Sequence, residues 1–303
     1  MAGLHEQRAA LRARIGTWGA WSFGFAFAPT AEAAPAAARI EELGYGCLWY
    51  PETMDSREAF VNAGVLLGAT ERMLVATGIA SIWSRDARAT VQASRTLVDA
   101  SGGRFVCGLG VSHKPMVDPR GHVYEKPVAA MRGYLDAMTA AGDAVDPALD
   151  VPVVLAGLRP PMLRLAAERT LGAHPYLVTP EHTARARAEM GPDALLLVEH
   201  KVVLDDDPVA ARARAREEIA WYLGAENYVR NLLWLGFSEE DVKDGGSDRL
   251  VDALVLHGDE EAVVAGLRAH LDAGADHVAI HPARDPADPL GVAALERLAP
   301  HLG

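Results

Sequence analysis

Residues 74–109 read LVATGIASIWSRDARATVQASRTLVDASGGRFVCGL and hold one complete unit of the fold. Leu74–Ile79 is a short apolar run with a clear β signal. Ala87–Ser101 carries Ala89, Leu97, Val98 and Ala100 among its apolar positions, at helical spacing. Gly102-Gly103 breaks the helix, and Phe105–Leu109 starts a second apolar run at once. Strand, helix and strand in this order are the pattern of a parallel βαβ crossover.

The same alternation extends in both directions. Upstream, Ile15–Trp21 reads as a strand, Pro35–Leu43 as a helix closed by Gly44, Cys47–Tyr50 as a strand and Glu58–Thr70 as a helix. Downstream, Val128–Ala141 is helical and Val151–Ala156 is a strand. Pro161–Leu171 is a helix with proline at its start, and Ala173–Val178 is a strand. Thr179 then stands as an N-cap before Pro180, and Leu195–Leu204 is the longest strand candidate. A helical region without strand signals runs from Pro208 to Leu256. Glu260–Ala273, ended by Gly274, is a helix, His277–His281 a strand and Val292–Leu302 a closing helix. Eight strand–helix units predict an α/β fold, a (β/α)₈ TIM barrel, as a single domain over residues 1–303. The stretch 208–256 is then a helical insertion after strand 7. An open doubly wound sheet would normally carry a glycine-rich first turn, and Gly16–Trp21 contains no GxGxxG.

Composition agrees with one large core. Of 303 residues, 50% are hydrophobic and 23% charged, too few charges for a disordered chain. Length alone allows two domains at roughly 150 residues each, but a barrel of this type runs to about 250 as one unit. With 29 Lys and Arg against 41 Asp and Glu, the net charge is −12, the reverse of the basic field of a nucleic-acid binder. The two cysteines, Cys47 and Cys107, form no CxxC or Cys/His cluster, so no metal site and no disulfide scaffold are expected. Met1–Arg14 is polar and Arg-rich, and no run approaches 18 apolar residues. Neither a signal peptide nor a membrane span is expected, which predicts a soluble cytoplasmic protein.

The active site of such a barrel lies at the C-terminal ends of its strands. That rule selects Trp18, Trp21 and Phe23 after strand 1, Tyr50, Pro51 and Glu52 after strand 2, and Ser81, Trp83 and Arg85 after strand 3. It adds Gly108 to Lys114 after strand 4, Gly157, Arg159 and Pro161 after strand 5, Tyr176 and Thr179 after strand 6, and His281 after strand 8. The set is aromatic and mildly basic, which suits a planar ring carrying a phosphate. Glu52 either serves the ring or a proton transfer, or pairs with an Arg at the rim. His113 is either a general acid or base or a surface histidine, its ordinary pKa lying near ~6.5. Trp18 is expected to meet the ring and Trp21 to pack. Gly108 and Gly110 would allow close backbone approach to a cofactor. Arg159 and Lys114 are candidates for an anionic cofactor tail, and Trp83, Tyr176 and His182 for substrate contact.

Ser101–Phe105, running into Gly108-Leu109-Gly110-Val111, resembles the most recognisable segment of the luciferase-like monooxygenase superfamily. Leu43-Gly44-Tyr45 before Leu48–Glu52, Ala76–Ile79 before Arg85, Pro161–Leu163 before Ala166-Ala167, and Ala273–Val278 also fit, so the resemblance covers roughly residues 14 to 301. Within the superfamily the chain is most similar to oxidoreductases that use the deazaflavin coenzyme F420. The resemblance implies a deazaflavin across the barrel mouth, backed by a non-prolyl cis peptide near Thr77, Gly78 and Ile79. It implies a cofactor phosphate on backbone N–H groups around Gly157 and at the helix start Pro161, Met162 and Leu163, where a helix N-terminus offers donors. Glu52 stands where sugar-phosphate-oxidising relatives keep a catalytic histidine, and His113 where they carry an acid. Both positions depart from the pattern of those relatives.

The expected activity is hydride transfer between F420 and a small-molecule substrate, with Glu52 or His113 supplying a proton. One alternative is an FMN-dependent monooxygenase of the same fold, which would need a separate flavin reductase. Another is a barrel that binds a flavin without catalysis. A homodimer is expected from the resemblance, and neither nucleic acid nor membrane is an expected partner.

Overall fold

In the computed structural model, which describes residues 3–124 and 126–303, the strands are β1 (Trp18–Trp21), β2 (Cys47–Tyr50), β3 (Leu74–Thr77), β4 (Ala80–Ser81) and β5 (Phe105–Gly110). They continue as β6 (Val153–Leu155), β7 (Gly172–Ala173), β8 (Leu195–Leu204), β9 (Val255–Gly258) and β10 (His277–Pro282). β10 pairs in parallel with β8 on one side and with β1 on the other, which closes the ring β1-β2-β3-β5-β6-β7-β8-β10. The fold is a TIM barrel.

Helices wrap this ring: α1 (Leu4–Ile15), α2 (Thr30–Glu42), α3 (Ala59–Gly68), α4 (Ala87–Ser101), α5 (Lys114–Val117), α6 (Pro127–Gly142) and α7 (Pro160–Arg169). After them come α8 (Pro180–Met190), α9 (Pro208–Leu223), α10 (Glu226–Leu235), α11 (Asp248–Leu254), α12 (Glu260–Asp272) and α13 (Val292–Leu298). Local chemistry sets their ends. The Asp86 carboxylate accepts from Ala89 N–H at the start of α4, and Gly102 ends that helix in the left-handed region. Thr179 caps α8 by accepting from His182 N–H, as its sequence predicts. Among the described residues no helix is long and apolar enough to cross a membrane, and both cysteines are buried and unpaired.

Strand alternation sorts side chains into two layers. Leu74 and Ala76 of β3 join Trp21, Trp49, Val106, Val154 and Leu197 inside the barrel, while Val75 packs outward under the helices. α1 closes the bottom: Leu11 and Ile15 belong to the interior cluster, and the Arg8 guanidinium donates to the carbonyls of Leu171, Thr170 and Ala167.

Four elements differ from their sequence reading. The polar N-terminus is a helix from Leu4 onward, Met1 and Ala2 lying outside the described residues. The run Leu74–Ile79 ends at Thr77, followed by a cis Gly78–Ile79 peptide and the short β4. β7 keeps only Gly172 and Ala173 of the sheet, because the chain turns away before Leu177, which takes a positive φ of 55°. The region read as wholly helical contains β9 at its end. This strand pairs with the upper half of β8, Lys201↔Val255 to Leu204↔Gly258, and anchors α9, α10 and α11 over the mouth.

Candidate functional site

A cavity of about 940 Å³ opens at the C-terminal end of the barrel. Trp21 and Phe23 line it after β1, Glu52 after β2, Gly78 and Ile79 after β3, and Gly110 to His113 from the end of β5. Ala156 to Met162 follow β6, His174 and Tyr176 follow β7, and Arg284 follows β10. α9 and the α10 segment contribute Glu218, Trp221, Tyr222, Asn227 and Tyr228, so the insertion forms part of the wall. Sequence profiles of the luciferase-like monooxygenases match residues 11–277.

The chain belongs to that family.

A 5,10-methylenetetrahydromethanopterin reductase of Methanolobus tindarius is 29% identical over 167 residues, covering 48% of this chain and 51% of that protein. The chain thus matches about half the length of that relative. A Mycobacterium tuberculosis protein named as a candidate coenzyme F420-dependent oxidoreductase is 26% identical over 255 residues, 70% of this chain and 71% of its own. The FMN complex of the oxygenating constituent of 3,6-diketocamphane monooxygenase from Pseudomonas putida shares the fold, with a TM-score of 0.70 at 15% identity, covering 95% of this chain and 99% of that one.

Of the residues expected at this family's barrel mouth, Glu52, Gly78, Ile79, Gly110, His113, Gly157, Arg159, Pro161, Met162 and Tyr176 line the cavity. The cis peptide falls where the resemblance implied it, between Gly78 and Ile79. Glu52, however, is an anchor. Its carboxylate accepts from Ser81 N–H at 2.7 Å and from both terminal nitrogens of Arg85, which also pairs with Glu58 and lies 4.4 Å over the Phe60 ring. The rim ion pair is the arrangement the structure contains. His113 Nδ1 lies 3.2 Å from Asn227 Oδ1, with the ring wedged against Trp221 and Tyr228. Burial lowers its pKa and the Asn227 contact opposes this, so the ring is neutral near pH 7.

Several expected residues lie elsewhere. Trp18 sits at the start of β1, at the opposite end of the barrel, where its Nε1–H donates to Leu302 O. Trp21, odd in number against Trp18, points inward at the mouth, so Trp21 and not Trp18 lines the cavity. Thr77 faces outward, and its hydroxyl donates to Gly108 O at 2.7 Å. Gly108 serves the fold: a Cβ there would lie 1.9 Å from Thr77 O, so glycine is needed for β3 and β5 to approach. Trp83 is tied to Val111 O through Nε1–H, outside the lining. His182 is fully buried, its Nε2–H donating to Leu158 O at 2.6 Å, which fixes the loop behind the wall. Lys114 is exposed and pairs with Asp118.

The helix start after β6 also differs in its donors. Pro160 and Pro161 have no N–H, and the N–H groups of Met162 and Leu163 donate to Arg159 O at 3.0 and 3.1 Å. Leu163 is buried in the core. Among the described residues, the N–H groups without an acceptor there are those of Gly157, Leu158 and Arg159. An anion would meet these and the exposed Arg159 side chain, which has no ion-pair partner among the described residues.

Sequence reading missed a buried charged chain beneath the mouth. Glu199 accepts from Leu177 N–H at 2.8 Å and lies 2.6 Å from His281 Nδ1. Lys201 Nζ donates to Glu218 Oε2 at 2.9 Å and lies against the His281 ring. Glu218 Oε1 in turn accepts from the backbone N–H and Nε–H of Arg284. Burial raises the Glu199 pKa to about 7 against the pull of Lys201. Burial also acts on Glu218, but Lys201 and Arg284 outweigh it and hold that carboxyl low. The one visible signal is Glu199-His200-Lys201 inside the otherwise apolar run Leu195–Leu204.

Proposed function

We propose that the chain is an F420-dependent oxidoreductase that moves a hydride between the deazaflavin and a small organic substrate at the barrel mouth. The F420-dependent name of the Mycobacterium tuberculosis relative favours the deazaflavin, and one observation carries the binding of a flavin-type ring. Gly78 and Gly110 place bare backbone in the wall on either side of Ile79, and beside Gly78 two buried polar atoms, Trp21 Nε1 and His174 Nε2, have no partner in the protein. A flat polar heterocycle fits that place, whereas a purely apolar ligand would leave both atoms unpaired. The cavity has room for such a ring and a second small molecule.

When bound, the deazaflavin supplies the two-electron chemistry. The chain positions and encloses it. Gly157, Leu158 and Arg159 N–H groups, with the Arg159 guanidinium, hold the anionic end against the protein's net charge of −12. Trp221, Tyr222 and Tyr228 cover the substrate side and limit water. His113, neutral and oriented by Asn227, is the group placed to give or take the substrate's proton. Glu52 acts through Arg85 and Ser81 to hold the loop after β3.

Titration of the purified protein with F420 and with FMN, followed by absorbance and fluorescence, tests the reading. Binding of F420 at least about tenfold tighter than FMN is expected. The opposite preference, with oxygen consumed when a flavin reductase is added, would replace it with the FMN monooxygenase reading that the diketocamphane enzyme's bound FMN suggests.

A further inference from the structure

Trp21 and His174 both line the cavity and are each only 1% exposed, yet each keeps a buried nitrogen without a partner in the protein. Neither side chain has freedom to turn away. The Trp21 ring is held by Phe23, Tyr176 and His281, with centroids 5.0, 5.2 and 4.2 Å away. His174 lies flat on Trp49 at 4.1 Å and 7°, and its Nδ1 is 2.7 Å from Leu197 O. A carbonyl only accepts, so Nδ1 carries the proton and Nε2 presents a lone pair. An indole Nε1–H only donates. The two atoms also converge. A Cβ at Gly78 would lie 2.6 Å from Trp21 Nε1 and 3.2 Å from His174 Nε2, so any residue larger than glycine would crowd both nitrogens.

A fixed donor beside a fixed acceptor selects a ligand edge with the complementary order. We propose that this pair reads an imide edge, N–H next to C=O, with Trp21 Nε1–H donating to the carbonyl and His174 Nε2 accepting from the N–H. The pyrimidinedione ring shared by flavins and deazaflavins carries this edge at N3. The assignment rests on the proposed function, in which such a ring occupies the cavity, and it extends that reading to one atom of the ring. It also gives a reason for Gly78 independent of backbone shape. Burial holds the His174 pKa down at about 3, so the acceptor persists across the working pH range.

The test measures binding and needs no substrate. The probes are the 8-hydroxy-5-deazariboflavin fragment, riboflavin, and the N3-methyl derivative of each, titrated by fluorescence into wild type and His174→Phe. N3-methylation should weaken the preferred ring about tenfold or more in wild type and cost little further in His174→Phe, where the acceptor is already gone. The ring type that binds tells which cofactor is the source. An N3-methyl penalty absent in wild type, or equal in both proteins, overturns the pair's role while leaving the proposed function standing. Failure of both parent rings to bind overturns both. Should His174→Phe not fold, the Trp21 indole N–H resonance of the wild type decides. A large downfield shift with the parent ring but not with its N3-methyl derivative supports the pair, and an unmoved resonance refutes it.

Discussion

Glu52 shows how a single carboxylate changes meaning with its neighbours. From its place after strand 2 it reads as a proton donor or a rim partner, and Arg85, 33 residues on, decides for the second. Glu52→Gln keeps the shape but removes a charge beside a guanidinium that retains only Glu58. The expected result is a loss of about 1–3 kcal/mol in urea unfolding, with cofactor affinity falling only through loosening of the loop after β3. An unchanged unfolding midpoint together with a large drop in turnover would return Glu52 to proton transfer. Trp18 and Trp21 teach the same lesson through parity. They are three positions apart on one strand, so at most one faces the interior, and the interior end of β1 belongs to Trp21.

At the scale of elements, the histidines concentrate in one arc of the wall, between β7 and β10. Burial holds His174 at about 3 and His182, His200 and His277 at about 4, each partly offset by a backbone carbonyl. In the unfolded chain each titrates near ~6.5. Between roughly pH 6.5 and 4 the unfolded state therefore binds more protons, and stability present above that window is lost as the pH falls through it. Glu199 acts with the opposite sign. Its folded pKa of about 7 lies above the unfolded value, so its contribution is full below about pH 4.5 and is lost as pH rises through 7. Four histidines outweigh one carboxyl, each giving a slope of up to about 1.4 kcal/mol per pH unit. Urea midpoints at pH 7.5, 6, 5 and 4.5 should fall steadily, and a flat profile from 7.5 to 5 would refute this account. The start of α7 carries a second lesson of this scale. Proline at the head of a helix predicts a helix start correctly, but it also removes the N–H groups that the same position is expected to offer an anion.

For the whole molecule, closure has two guardians that lie far apart in the chain. The β8–β10 ladder joins the last strand to the sheet, from His277↔Leu197 to Pro282↔Val202. At the bottom, α1 inserts Leu11 and Ile15 into the barrel interior and ties itself to the β6–β7 connection through Arg8. Burial of two such side chains is worth about 3–6 kcal/mol. A chain beginning at Gly16 should unfold at markedly lower urea concentration than the full protein, and an equal midpoint would show that α1 closes nothing that matters. At the other end, the α9–α11 segment brings Glu218, Trp221, Tyr222 and Tyr228 over a mouth that the eight strands alone would leave open.

The sequence by itself determined the barrel, the strand ends that face its mouth, the cap at Thr179, and the position of the insertion. These depend on periodicity, turn residues and caps, which act over a few neighbouring positions. It could not place α1, whose amphipathic signal is faint among charged residues, or β9, whose four residues follow directly on a helix. Tertiary structure decided which of the side chains at those strand ends meet one another. The Glu199–His281 pair spans 82 residues, and Lys201–Glu218 joins a barrel strand to the insertion. Trp21 and His174 meet over Gly78 only because three strands close into one ring. Strand parity, the left-handed turn at Leu177 and the register of closure fix which side chains converge, and none of these is written in any one segment of the chain.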